Sequence, residues 1–364
     1  MKITRLETIL VGERHLYLKV YTDEGLVGLG ESGLWGAREG VVGTLERMAP
    51  ALLRQDVSRI SYINEKLYSK HQFKGMNVMS AISAVDLALW DLLGKSLGVP
   101  VYRLIGGAYR DKVRLWRPVG GKTPEQIKED CAAALEEGYT AVRINPTGGT
   151  EEMTTARRLR TIYERVAACR EALGDDVDIG IEIHRNLTPD DTIRVCNALE
   201  PLDIMFYEDP HRSESIPVMK YVSEKTRVPI AAGERCISIQ EFELLFENGM
   251  RYARPDICTL GGLTGNLKVA AIAEAHHAGV MPHVATSVVN MAASAHYAAA
   301  IPNFTIMETG PKRMLQMVQD SIREDCRLQI EKGYLSVPQS PGWGVELAED
   351  IQERFPYATS QWIL

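Results

Sequence analysis

Six cysteines are scattered through the 364 residues with no C-x-x-C pair and no partner histidines at zinc spacing. That leaves out a structural zinc site and a disulfide-stapled scaffold. Cys131, Cys169, Cys196, Cys236, Cys258 and Cys326 therefore read as reduced core residues. There is no basic tract, and the net charge is −7, so phosphate-backbone binding is not expected and nucleic acid is not a partner. The N-terminal stretch is broken by Arg5, Glu7, Glu13 and Arg14, so it lacks the apolar run of a signal peptide or membrane span. A cytoplasmic location with no membrane partner is the expectation. Low-complexity and collagen-like patterns are missing too, while 45% apolar and 24% charged residues describe an ordinary globular chain. Its length exceeds what one core holds, which predicts two domains or a barrel with an added module.

What is present falls into two textures. Residues 2–11 and 15–22 alternate apolar and polar positions around Gly12, which reads as an antiparallel pair. From about Gly40 to Leu97 the spacing turns helical and stops at Gly98 and Pro100. Beyond Arg110 short apolar runs alternate with helical stretches in at least six units, the pattern of parallel strands linked by crossovers that close into a barrel.

The ends of the apolar runs carry the chemistry. Glu182, Glu208 and Glu234 follow one another at intervals of 26 residues, one strand-helix unit each. In a parallel barrel such positions share one rim, so three carboxylates converge and call for a hard divalent cation; Mg2+ is the expected cofactor. Asp256, His283 and Glu308 continue the rim at intervals of 22, 27 and 25. An aspartate beside His283 would fix its tautomer and raise its basicity, which suits a general base. His184, two residues past Glu182, is expected to point the same way as that ligand and to stand across the metal from His283, as an acid. Arg143, Asn145, His211 and Arg235 are the candidate substrate contacts. His276 and His277 sit at a helix C-terminus, where imidazole is ordinary.

Gly28, Gly30 and Gly33 fit the G-x-G-x-x-G pattern. The preceding strand belongs to a hairpin and no βαβ unit follows, so nicotinamide binding is only the remote alternative. A flexible loop over the active site is the expected role of these glycines.

The stretches SAISAVDLALWDLLGKSLGVPVYRLIGG, FYEDP, AGER, PDICTLGG, MPHVATS and GYLSVPQSPGWGVEL together resemble the enolase superfamily, in its mandelate racemase-like branch. The resemblance covers essentially the whole chain and is nearest to galactonate dehydratase-like acid-sugar dehydratases. It implies a (β/α)7β-type modified TIM barrel over residues 113–332, an N-terminal α+β capping domain over 1–112, and a segment 333–364 returning to that domain. It also implies metal ligands Glu182, Glu208 and Glu234, an Asp256–His283 dyad, His184 as acid and Glu308 in the pocket. The substrate it implies is a small sugar acid; a homo-oligomer is expected as the common case for soluble enzymes. The branch's racemases carry Lys-x-Lys on the second strand. Here that text is Arg143-Ile144-Asn145, which favours dehydration over the alternatives of epimerisation or cycloisomerisation. Two departures are Glu182, where the subgroup has aspartate, and the wording of the loop 71–77.

Overall fold

The computed structural model describes residues 1–34, 36–212 and 215–357. Alternation in the first segment produces β1 (Ile3–Val11), β2 (His15–Thr22) and β3 (Val27–Ser32), an antiparallel sheet in that order. Three helices cover it: α1 (Arg38–Leu52), α2 (Ile60–Lys70) and α3 (Met76–Leu97), the last ended by Gly98 in the left-handed region at φ 68. By length and composition α3 could cross a membrane, but most of it is buried inside the molecule.

Close contact between β3 and α3 explains the glycine motif. A Cβ on Gly28 would lie 2.2 Å from the Ala88 carbonyl oxygen, and one on Gly30 would lie 1.9 Å from that of Ala84. These glycines are strand residues that let a helix approach, not the flexible loop expected from the sequence. No dinucleotide turn forms there, because β3 pairs antiparallel with β2.

The second segment builds eight parallel strands separated by seven helices. In order they are β4 (Lys112–Val119), α4 (Pro124–Glu136), β5 (Ala141–Ile144), α5 (Thr155–Leu173), β6 (Asp178–Glu182), α6 (Pro189–Leu199), β7 (Ile204–Glu208), α7 (Ile216–Ser223), β8 (Ile230–Ala232), α8 (Ile239–Glu247), β9 (Tyr252–Ala253), α9 (Gly262–Ala275), β10 (Gly279–Val280), α10 (Val288–Ala300) and β11 (Met307–Glu308). Neighbouring strands pair from β4 to β10; β11 pairs back to β4, and a bridge between Val280 and Phe304 closes the ring. The result is a (β/α)7β barrel beneath an α+β cap. Trp116, Ala141, Phe206, Ala231, Met281 and Ile306 fill its interior. Helix starts follow local chemistry: Thr123 and Thr188 accept from Gln126 and Asp191 backbone amides, and Ser238 with Glu241 forms a capping box.

Helix α3 joins the two layers through buried polar groups. The Ser83 hydroxyl accepts from the Gly261 and Gly262 amides, and Asp86 accepts from the Thr264 amide, so the cap supplies the N-terminal partners of α9. Asp91 accepts from the Leu29 amide at 2.8 Å and from the Trp343 amide at 2.8 Å. Residues 334–336 belong to a hairpin, β12 (Ile330–Glu331) and β13 (Tyr334–Ser336), whose second strand pairs antiparallel with β4. The segment expected to return to the cap from 333 therefore first extends the barrel sheet, and it meets α3 at Gly342, Trp343 and Glu346. Residues 358–364 of that segment lie outside the described residues.

Candidate active site

Strand register sets the acidic cluster. Glu182 and Glu208 are paired residues at the ends of β6 and β7, and Glu234 follows β8 after Gly233, whose φ of 123 turns the chain inward. One carboxylate oxygen from each lies within 4.8 Å of the others. Glu182 and Glu208 are almost fully buried. Burial and the neighbouring Glu208 charge push the Glu182 carboxyl well above the usual carboxylate range.

Three guanidinium groups are laced through these acids. Arg143, on β5, donates to Glu208 at 3.0 Å and Glu182 at 3.3 Å, and its other nitrogen lies 2.9 Å from Glu308. Arg254, just past β9, is wholly buried; it donates to Glu208 Oε1 at 2.7 Å and to Glu308 Oε2 at 2.6 Å. Both lie over the Trp116 ring, with centroid distances of 5.5 and 4.7 Å. Arg185 pairs with Asp209 and donates to Glu234 at 3.0 Å. Arg254, Arg185 and Asp209 were not singled out in the sequence. The available signal for Arg254 was its place two residues before Asp256 in an otherwise apolar run.

Asp256 and His283 are partners in a parallel bridge. Asp256 Oδ2 lies 2.6 Å from His283 Nδ1, while Oδ1 accepts from the Cys258 amide at 2.7 Å and the Asn290 side chain at 3.2 Å. His283 Nε2 faces Glu234 Oε2 at 3.6 Å. Burial opposes charging of this imidazole, but the Asp256 hydrogen bond and the Glu234 charge raise it to about 9. Conversely, although burial opposes it, Arg143 and Arg254 draw Glu308 down to about 2.

His184 lies beyond the end of β6 with φ 52, so strand alternation does not set its direction as the sequence suggested. Its backbone amide donates to Glu182 Oε1 at 2.6 Å, and its ring, half exposed, has Nδ1 4.0 Å from the same oxygen. Burial lowers its basicity below the ordinary value. Asn145 is exposed and spends its side-chain oxygen on the Thr147 amide and hydroxyl. His211 is buried, with Nδ1 2.8 Å from the Arg212 carbonyl, in a small cavity shared with Arg185, Asp209 and Arg235. Arg235 is largely exposed, with Nε 3.7 Å from Glu234. Five of the six cysteines are buried and Cys326 is half-buried; all are unpaired.

A closed barrel with acids and a histidine-aspartate pair on its C-terminal rim, roofed by an α+β module, defines an enolase-type enzyme. Residues 8–106 match the model for the mandelate racemase/muconate lactonizing enzyme N-terminal domain, and residues 126–351 match the enolase C-terminal domain-like model. The chain belongs to the mandelate racemase/muconate lactonizing enzyme family of the enolase superfamily. It is 35% identical over 359 residues to a D-galactonate dehydratase from Ralstonia nicotianae, covering 96% of this chain and 93% of that one. A member of the enolase superfamily from Salmonella Typhimurium superposes with TM-score 0.92 at 31% identity, with 98% of each chain covered. An enolase from Agrobacterium radiobacter, solved with sodium and L-malate bound, superposes with TM-score 0.90 at 29% identity, covering 100% of this chain and 97% of that one.

Proposed function

We propose that this chain is a magnesium-dependent hydro-lyase that dehydrates a sugar acid of the aldonate type to a 2-keto-3-deoxy sugar acid. The observation that carries the reading is the cluster of Glu182, Glu208 and Glu234 within 4.8 Å beside a histidine-aspartate pair. Two of the three, Glu182 and Glu208, are almost fully buried. Three carboxylates brought this close together fit an oxygen-ligated divalent cation, so Glu182, Glu208 and Glu234 would hold magnesium. When bound, magnesium supplies positive charge against the charge that grows on the substrate carboxylate as its neighbouring proton leaves.

The chain's own residues do the proton transfers. Asp256 holds the Nδ1 proton of His283, so the neutral imidazole would present its Nε2 lone pair to the C2 proton; Glu234, one of the charges that raise His283, would be spent on the metal when one is bound. His184 attends Glu182 whereas His283 attends Glu234, so the two imidazoles serve different acids of the cluster. In its protonated form His184 delivers a proton to the departing 3-hydroxyl, and its lowered basicity makes it the stronger acid. The enol so formed tautomerises to the 2-keto acid. Among the described residues no second base stands on β5 or just past it, because Arg143 is tied to three carboxylates and the Asn145 side chain to Thr147. That supports elimination over racemisation.

The D-galactonate dehydratase likeness directs the first substrates to try. Incubation with magnesium and a panel of aldonates and aldarates, assayed for 2-keto acids, is the test. Absence of 2-keto acid across the panel from folded, metal-loaded protein would overturn dehydration.

A further inference from the structure

Helix α10 begins in the barrel, yet its own N-cap residue, Ser287, makes no side-chain cap bond. The cap comes from the other module. Glu31, at the end of β3, places Oε2 2.9 Å from the Val289 amide and 3.1 Å from the Asn290 amide, the second and third residues of the helix. Glu31 is itself buried, so its carboxylate is withdrawn from water to make these two bonds.

Asn290 then continues the chain of contacts. The Asp256 carboxylate only accepts, so it is the Asn290 side-chain nitrogen that donates to Oδ1 at 3.2 Å, and the side-chain oxygen is left to accept from the Ser294 hydroxyl at 3.1 Å. The Cys258 amide meets the same oxygen at 2.7 Å, so Oδ1 is held from two sides and Oδ2 is left for His283. Glu31, Asn290 and Asp256 are all at least nine-tenths buried.

We infer that Glu31 is a positioning residue for the His283–Asp256 pair: from the capping module it holds the first turn of α10 so that Asn290 aims the Asp256 carboxylate at His283. This rests on the reading of His283 as the base that takes the C2 proton. It goes beyond the docking of two modules, because the helix turn that Glu31 caps is the one that touches Asp256.

Docking alone has a built-in comparison. Asp86 caps α9 in the same manner, through the Thr264 amide, but among the described residues no hydrogen bond runs from Thr264 to the pair. The test uses full-length protein and reads the low-field proton resonance of the His283–Asp256 hydrogen bond, assigned by its absence in His283→Asn. Glu31→Gln and Asn290→Ala should each shift this resonance and speed its exchange with water, whereas Asp86→Asn should lower thermal stability and leave it in place. With substrate, Glu31→Gln and Asn290→Ala should each lower kcat about tenfold with KM little changed. The double variant should fall no further than the more severe single, as expected for two groups in one chain of contacts. Should Glu31→Gln fail to fold, Glu31→Asp, which keeps the charge but shortens its reach, is read the same way. An unmoved resonance in the folded Glu31 variant, an equal shift in Asp86→Asn, or losses that multiply in the double variant would each overturn the inference. The resonance is read without substrate, so it stands apart from any failure of the dehydratase reading.

Discussion

His283 Nδ1 and Asp256 Oδ2 stand 2.6 Å apart across a bridge between neighbouring rim segments, with the far side of the imidazole turned to Glu234. Replacing His283 with Asn should abolish exchange of the substrate C2 proton with deuterium while magnesium affinity changes little. Asp256→Asn should lower turnover by about 10²–10⁴, the range of a general base and its orienting partner. Proton exchange at the original rate in His283→Asn would remove His283 from that role.

Chelation gives a second check. Removal of divalent ions should abolish turnover, and magnesium should restore it. Because burial and Glu208 already push the Glu182 carboxyl upward, Glu182→Gln should leave the metal-free melting temperature unchanged or slightly raised. The same variant should lose the increase in melting temperature that magnesium confers on the parent protein. A full magnesium-induced increase in the variant would exclude Glu182 as a ligand.

Arg254 is the only contact that reaches Glu208 and Glu308 from a wholly buried position among the described residues. Arg254→Met leaves those two acids with Arg143 as their shared guanidinium, and should cost about 3–5 kcal/mol in urea unfolding, the usual result of removing one partner from a buried ion pair. A cost under about 1 kcal/mol would mean that the acids find other partners.

Gly30, in the G-x-G-x-x-G stretch, and Gly43, beyond it, differ in what surrounds them. Gly30→Ala drives a methyl against the Ala84 carbonyl and should destabilise by about 1–3 kcal/mol. Gly43→Ala, inside α1 with nothing within 4 Å, should instead stabilise by about 0.5–1 kcal/mol. Equal effects at both sites would contradict the packing account.

Acid sensitivity should come partly from His296. Its ring accepts from the Tyr102 amide and meets the Trp343 carbonyl, and burial pushes it down to about 4. Between that value and the ordinary 6.5 the unfolded chain binds a proton that the folded protein does not. Stability therefore falls as pH drops through this window, by about 3 kcal/mol for this residue. Urea unfolding of His296→Gln should show a shallower loss from pH 6.5 to 4, with His15, also pushed down to about 4, retaining its share. An unchanged pH dependence would assign the loss elsewhere.

The rim acids were legible because a parallel barrel repeats one geometry, and a residue at each strand end inherits its place from the repeat. Glu182, Glu208, Asp256, His283 and Glu308 needed nothing more. His184 shows the limit: parity applies only within a strand, and at φ 52 the chain has already left it. Arg185 and Asp209, at φ 63 and 49, meet through the same kind of departure, which no periodicity encodes. Glycine spacing misled for a related reason, since Gly28 and Gly30 answer to a helix that begins more than forty residues later. The link from Glu31 to Asn290 spans 259 residues and leaves no local trace.

Asp91 sits wholly buried on α3, one oxygen taken by the Leu29 amide and the other by the Trp343 amide. A roof grafted from a relative would therefore have to bring an acid at this spot, or strand two amides from segments more than three hundred residues apart. Roof, barrel and tail are thus poor candidates for exchange one at a time, and hybrids should succeed only when all three pieces travel together.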